Sequence, residues 1–405
     1  MKPRTAGFAF DVLGTDGAAR RGLLATPHGV VETPTFMPVG TQGTVKTLAP
    51  DEVAATGARV VLGNTYHLML RPGQETVAAL GGLHAFTRWP HAMLTDSGGF
   101  QAYSLSGVAG ARTGASPSRA TPRALVDAAE EGFSFKSHID GSPHALTPES
   151  AVRVQARLGA DIQMPLDVCS PGDAPRDEVA RAVERTTRWA KRALAVARPE
   201  GQALFGIVQG ACFVDLRRAH AAELGELAFD GLALGGFSVG EPPERMHEAL
   251  GESVSALDAQ RPRYLMGVGT PRDLVLAIAA GVDMFDCVLP TRVARNGVAF
   301  TRDGPINLRN ERFRDDSRPI AEGLDNYTCR TFSRAYLRHL TLAREMLGGT
   351  LLTIHNLHFF LDLVAQARGH VEAGDYGPWH LAWRTVHAKI LASGNRGDGN
   401  VYLGI

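Results

Sequence analysis

The stretch RYLMGVGTPRDLVLAIAAGVDMFDCVLPTR, residues 263–292, decides the fold. Two short apolar runs, RYLMGVG at 263–269 and VDMFDCVLP at 282–290, flank a segment that opens with Thr270, Pro271 and Asp273. This order marks a helix start: the hydroxyl caps a free amide, proline has no N–H to leave unpaired, and the acid faces the positive end of the helix dipole. Strand, helix, strand over so short a span predicts two parallel strands, because parallel neighbours need a crossover connection.

Working outward, the pattern repeats. Further apolar runs are TPTFMPVG at 33–40, RVVLGNTY at 59–66, HAMLTDSG at 91–98, ADIQMPLD at 160–167, ALFGIVQG at 203–210 and GLALGGFSVG at 231–240. Helix starts also stand at Ala49-Pro50-Asp51-Glu52 and Thr147-Pro148-Glu149. Eight runs with helices between them predict an α/β fold, a closed (β/α)8 TIM barrel occupying residues 1–300. Two stretches depart from the pattern. Residues 107–123, GVAGARTGASPSRATPR, are rich in Gly, Ala, Ser, Thr and Pro and predict a mobile insertion. Residues 291–344 carry eleven Arg and no Lys against six Asp or Glu, a local excess of five positive charges. Apolar helical patterns follow at about 333–367 and 378–392, so a helical subdomain is expected at 301–367 and a C-terminal helical segment, packing on the barrel, at 368–405.

Composition narrows the function. Over 405 residues, 42 Lys and Arg balance 42 Asp and Glu, so bulk charge does not mark a polyanion binder and any nucleic-acid contact must be local. Four scattered cysteines (Cys169, Cys212, Cys287, Cys329) form no CxxC pair, which fits a reducing compartment. With no signal-like start and no membrane-length apolar run, a cytoplasmic protein with no membrane partner is expected.

The runs end in chemistry. They close on Asp96-Ser97-Gly98-Gly99-Phe100-Gln101, Asp167, Gln209-Gly210, Gly235-Gly236, Met266-Gly267 and Asp286. An aspartate in such a place is often a helix cap and a glycine pair often a turn. Barrel sites, however, are assembled from the carboxyl ends of separate strands, where these residues would converge. Glycines admit a flat group close to the backbone, Phe100 and Met266 offer stacking surfaces, and Asp with Gln reads a donor–acceptor edge, so a heterocyclic base fits. The remaining carboxylates suit glycosidic chemistry, as base exchange or as hydrolysis. No Cys/His cluster in the barrel region marks a catalytic metal, and no cofactor is expected for catalysis.

The motifs LGNTYHLMLRPG, TDSGGFQ, FKSHIDGS, LFGIVQG, GGFSVGE, YLMGVGTPRD, MFDCVLPTRVARNG, SRAYLRHL and TIHN resemble those of the bacterial-type tRNA-guanine transglycosylases, and the resemblance covers nearly the whole chain. It implies a TIM barrel with a zinc-binding subdomain. It makes Asp286 the nucleophile on the ribose of the wobble guanosine, through a covalent intermediate, and Asp96 the proton acceptor. It gives Ser97, Gly98, Gly99, Phe100, Asp167, Gln209, Gly235, Gly236 and Met266 to the base. RNA contacts fall on Gly267, Val268, Gly269, Thr270, Pro271, Arg272 and Asp273, and on Thr291, Arg292, Val293, Ala294 and Arg295. The implied partners are tRNA with a GUN anticodon, guanine and 7-aminomethyl-7-deazaguanine, the last because Val239 and Cys169 match the bacterial pattern; Phe237 stands where the family usually has Leu. A homodimer is implied, with Phe332, Tyr336 and His339 as a candidate contact. The alternatives are a non-catalytic RNA-binding subunit, which retention of both aspartates argues against, and a transglycosylase with another base or nucleic-acid target.

The family's zinc site departs from its pattern here. Its CxCxxC run corresponds to Leu324-Asp325-Asn326-Tyr327-Thr328-Cys329, so Leu324 and Asn326 replace two cysteines, and Cys329 and His355 alone remain. Structural zinc takes four ligands, mostly Cys or His, and no zinc is therefore expected.

Overall fold

The computed structural model describes residues 5–101 and 127–383; the predicted insertion at 107–123 and most of the second C-terminal helical pattern lie outside them. The central sheet is all parallel. Its order runs Thr35–Met37, Met284–Asp286, Arg263–Leu265, Gly231–Leu234, Ala203–Val208, Ile162–Gln163, Ala92–Thr95, Val60–Gly63, Val39–Gly40. Pro38 interrupts one strand, whose first half pairs with Met284–Asp286 and whose second half pairs with Val60–Gly63. The sheet thus closes on itself, and each of the eight apolar runs supplies one strand position.

Two cores flank this sheet, and the period-two alternation of strands separates them. Met37, Leu62, Leu94, Ile162, Phe205, Ile207, Ala233, Tyr264 and Met284 fill the lumen. The alternate residues Val61, Met93, Leu204, Leu232, Leu265 and Phe285 point outward and pack under the helices. An antiparallel sheet of Ala9–Asp16, Ala19–Thr26 and Gly29–Thr33 inserts Phe8, Phe10, Leu24 and Val31 into the lumen core and plugs its amino end.

Beyond the last barrel strand come a hairpin, Val298–Thr301 with Gly304–Asn307, and the helices Tyr327–Thr331, Arg334–Ala343 and Met346–Ala373. The long helix continues past residue 367, where a boundary was expected, so 346–373 is one element. Its Leu357, Phe360 and Val364 belong to the same core as the barrel's outer face, while Leu351 and Leu352 pack with Leu308, Phe313, Leu337 and Leu340 in a smaller one. Among the described residues no helix is long and apolar enough to cross a membrane.

Candidate active site

Extending the alternation past the strand ends places the site. Two residues beyond the lumen residues Leu94, Ile207, Ala233, Tyr264 and Met284 stand Asp96, Gln209, Gly235, Met266 and Asp286. The ladders carry on to them: Asp96 donates its amide to the Gly63 carbonyl (3.2 Å), Gly235 to Val208 (3.0 Å) and Met266 to Leu234 (3.1 Å). Asp96, Gly235, Met266 and Asp286 therefore face the lumen at its carboxyl mouth, and Gln209 joins them through its side-chain contacts with Asp167 and the Gly235-Gly236 turn.

The two principal aspartates are held by neutral donors. Oδ1 of Asp286 accepts the Tyr264 hydroxyl at 2.6 Å and the Gly267 amide at 2.7 Å, while Oδ2 takes no hydrogen bond from the described residues. One oxygen is fixed and the other is available. Oδ1 of Asp96 accepts the amides of Thr65 (2.9 Å) and Gly98 (3.1 Å), and Oδ2 accepts the Asn64 carboxamide. Burial raises the pKa of both; for Asp96, the amide hydrogen bonds oppose this and the Asp286 charge adds to it, leaving its carboxyl at about 7. An acid that titrates near neutrality can both give and take a proton.

Beside them Gln209 donates to Oδ2 of Asp167 at 2.6 Å, and burial moves Asp167 up to about 6 against that bond. The Gln209 carboxamide lies flat against the Gly235-Gly236 turn: a Cβ on Gly235 would come within 2.7 Å of Nε2, and one on Gly236, whose φ is +70°, within 2.2 Å of Oε1. Only glycine fits either place. Ser97 is buried and its hydroxyl accepts the Gly99 amide at 3.2 Å. Met266 packs at the top of the lumen core, whereas the Phe100 ring is half exposed on the rim.

Several residues with a part in this site carry no signal in the expectations above. Asn64 caps the helix Thr65–Leu70 through His67 and holds Asp96 with the same side chain. Asn after an apolar run is a recognisable cap, but its second job is a tertiary contact. Tyr264 reads as one more apolar lumen residue until its hydroxyl meets Asp286. Glu241 accepts the amides of Ser238 and Val239, the latter at 2.9 Å, and so ties down the turn after Gly236.

The proposed RNA segments divide into scaffold and surface. In the first, Gly267 is exposed, Val268, Gly269 and Pro271 are buried, and Arg272 is half-buried. Thr270 caps the helix Pro271–Ala279 by accepting the Asp273 amide at 3.2 Å, and Asp273 pairs with His247 at 2.9 Å. In the second, Thr291, Val293 and Ala294 are buried in the helix Leu289–Ala294, while Arg292 and Arg295 are exposed on one side.

The family zinc position does not offer four donors. Sγ of Cys329 lies 3.3 Å from Nδ1 of His355, whose Nε2 donates to the Phe300 carbonyl at 2.7 Å. The Asn326 carboxamide nitrogen sits 3.5 Å from that sulfur and 3.4 Å from the same Nδ1, with its oxygen capping the Cys329 amide at 3.0 Å. Leu324 is buried apolar surface, and Asp325 is turned outward to Arg330. A carboxamide N–H aimed at both remaining ligands occupies the place of a cation, so these residues do not fit zinc. A second cluster, His28, His84 and Asp161, brings three donor atoms within 4.8 Å of one another at the opposite, amino end. Its imidazoles stack with centroids 3.4 Å apart and planes 10° apart. A metal lies in the plane of each imidazole that binds it, and two nearly parallel planes share no such point. Both rings instead hydrogen-bond the Asp161 carboxylate, at 2.6 and 3.1 Å.

A closed parallel barrel with carboxylates gathered at its carboxyl mouth defines a class, the barrel enzymes whose chemistry sits on that rim. Comparison with known proteins places the chain within it. The family model for queuine tRNA-ribosyltransferase matches residues 16–389. A protein of Sorangium cellulosum named queuine tRNA-ribosyltransferase is 61% identical over 94% of this chain and 92% of its own length. Proteins of the same name from Nitratidesulfovibrio vulgaris and Symbiobacterium thermophilum are 52% and 54% identical, over 95% and 94% of this chain and 98% and 93% of theirs. The chain belongs to the queuine tRNA-ribosyltransferase family, the tRNA-guanine transglycosylases, and is a glycosyltransferase acting on tRNA.

Proposed function

We propose that the chain replaces guanine at the wobble position of tRNAs with a GUN anticodon by 7-aminomethyl-7-deazaguanine, in two displacements at the same ribose carbon. The observation that carries the reading is the Asp286 carboxylate, with Oδ1 held by Tyr264 and Gly267 and Oδ2, at the lumen mouth, uncommitted among the described residues. Oδ2 attacks C1′, the bond to guanine N9 breaks, and the base leaves with the electron pair and a proton from Asp96. The Asp96 carboxylate then takes the proton of the incoming deazaguanine, whose nitrogen displaces Asp286. Two inversions retain the configuration at C1′. Asp167, Gln209 and the Gly235-Gly236 turn supply the donor and acceptor edge for either base, with Val239 near the substituent. The exposed Arg292 and Arg295 meet backbone phosphates, the usual target of such side chains.

We propose further that the Glu311–Ala373 region holds together without zinc, through Asn326, Cys329 and His355 and the small core around Leu337 and Leu351. The ring sequence of exposed Tyr327, half-buried Phe332 and exposed Tyr336, with Phe332 and Tyr336 stacked at 5.3 Å and His339 beside them, is the proposed contact of a homodimer. Labelled guanine incubated with unmodified GUN tRNA should enter the tRNA with the wild type, and chase out with 7-aminomethyl-7-deazaguanine but not with queuine. No incorporation by a folded wild type would overturn the reading. Near-stoichiometric zinc in the purified protein would overturn the metal-free clamp.

A further inference from the structure

Behind the base pocket runs the helix Val214–Gly225, and its inward face is polar. Arg217 is fully buried and His220 nearly so, one turn apart. Nδ1 of His220 accepts the backbone amide of Gln209 at 2.9 Å, and burial lowers this imidazole to about 4, so it stays neutral. Arg217 meets no carboxylate in an ion pair among the described residues. Its Nε donates to the Ala211 carbonyl, its Nη2 to the carbonyls of Gly235 (2.9 Å) and Gly236 (3.3 Å), and its Nη1 finds no acceptor among the described residues. The Phe237 ring covers the guanidinium at 3.6 Å from its centroid.

Taking a guanidinium out of water with no carboxylate in contact, Glu241 attracting it only from farther off, is costly, and a packed core has no need of it. What the cation holds is the turn proposed to receive the base. The Gly235 carbonyl shares its peptide with the Gly236 N–H. A charged donor on that carbonyl draws electron density through the amide and strengthens the N–H on its other side. That N–H has no acceptor among the described residues and belongs to a half-buried residue at the pocket. The Phe237 ring serves the same cation: an aromatic face over a buried guanidinium stabilises it.

We propose that Arg217 is a positioning residue for the base: its guanidinium, clamped on the Gly235 and Gly236 carbonyls and covered by Phe237, sets the Gly236 N–H as the donor to the carbonyl oxygen of guanine and of its replacement. The inference rests on the proposed function, in which this turn holds the base. Arg217→Met keeps the length and apolar stem, and Arg217→Lys keeps the charge but not the fork that spans three carbonyls. With saturating tRNA, the Met variant should raise the KM for guanine about tenfold, roughly one strong hydrogen bond, with a smaller rise for Lys and little change in the KM for tRNA. A guanine KM within about twofold of wild type in either folded variant, or parallel rises in both KM values, would overturn the proposal. Failure of both variants to fold would also overturn it, as the mark of a packing role. Absence of exchange by the wild type would instead sink the proposed function, so the two failures are distinguishable.

Discussion

The two ends of the barrel both bury aspartates and treat them in opposite ways. At the amino end, Asp283 is bound by the Arg20 guanidinium, with Nε at 2.8 Å from Oδ1, and accepts the Arg263 amide at 2.7 Å. Asp161 takes His28, His84 and the Met93 amide, and although burial alone would raise it, these hydrogen bonds hold its carboxyl below the ordinary value. At the carboxyl end, Asp96, Asp167 and Asp286 meet only amides, carboxamides and a phenol, and all three are raised. Burial raises Asp283 as well, against its ion pair, so what separates the ends is the partner, a guanidinium and imidazoles at one and neutral donors at the other. A paired carboxylate is finished chemically and fastens the plug sheet to the strands. An unpaired one keeps its nucleophilicity and its proton near the pH at which it must work.

The contrast breaks most sharply if the ends are exchanged in function. Asp286→Asn should lower base exchange at least about a thousandfold while leaving the melting midpoint unchanged or higher, since the carboxamide removes a buried charge. A loss of less than tenfold would remove Asp286 from the nucleophile's place. Asp283→Ala should do the reverse, because it strands Arg20 in the interior: about 3–5 kcal/mol of stability lost, read by denaturant unfolding, with kcat at low temperature within about twofold. Equal thermal stability for this variant would mean that the amino end is not the fastening.

This contrast was only partly visible in the chain itself. The alternation of apolar residues locates every barrel strand, and its continuation by one step puts Asp96 and Asp286 in the lumen mouth. Asp161 and Asp283 sit in comparable surroundings, within ADIQMPLD and VDMFDCVLP, yet they precede the strand cores, and position along the strand is what separates the fastening from the site. What stays illegible is partnership. Nothing local says that Arg20 reaches Asp283, a separation of 263 residues, or that Tyr264 turns its hydroxyl to Asp286. Arg217 and His220 give the helix Val214–Gly225 a mixed face that reads as solvated until the pocket behind it is known.

The pH dependence sharpens the comparison at the next level of effect. With Asp96 near 7, the carboxylate needed to take a proton disappears as pH falls through that value, so kcat/KM for the incoming base should drop up to about tenfold per pH unit below it. Folding shows the opposite sign. Between its unfolded value of 3.8 and about 7, the folded Asp96 holds more proton than the unfolded one, so its contribution to stability declines as pH rises through that window. Asp161, lowered on folding, contributes stability that is present above its unfolded value and is lost as pH falls through the lowered one. Asn64→Ala removes a donor that favours the ionised Asp96 and should move the acid limb of kcat/KM to higher pH. An unmoved limb would assign it to another group.

The smallest expected effect tests how far the amino end is over-secured. His28 is the exposed member of its trio, with 40% of its side chain accessible, while Asp161 is buried. Removing the ring by His28→Ala still leaves Asp161 the His84 imidazole at 3.1 Å and the Met93 amide at 2.8 Å, so no buried carboxylate is orphaned. The loss should stay near 1 kcal/mol or below, a partly solvated pair plus one stacking contact, and base exchange should be unchanged. Denaturant unfolding beside His84→Ala separates the two positions: His84 is the more deeply placed ring, with 11% of its side chain accessible, and should cost more. If His28→Ala proves the more damaging, the carboxylate is secured mainly from the plug sheet, and the amino end is held by the sheet's turn instead of by the barrel's own helix Gly82–Thr87.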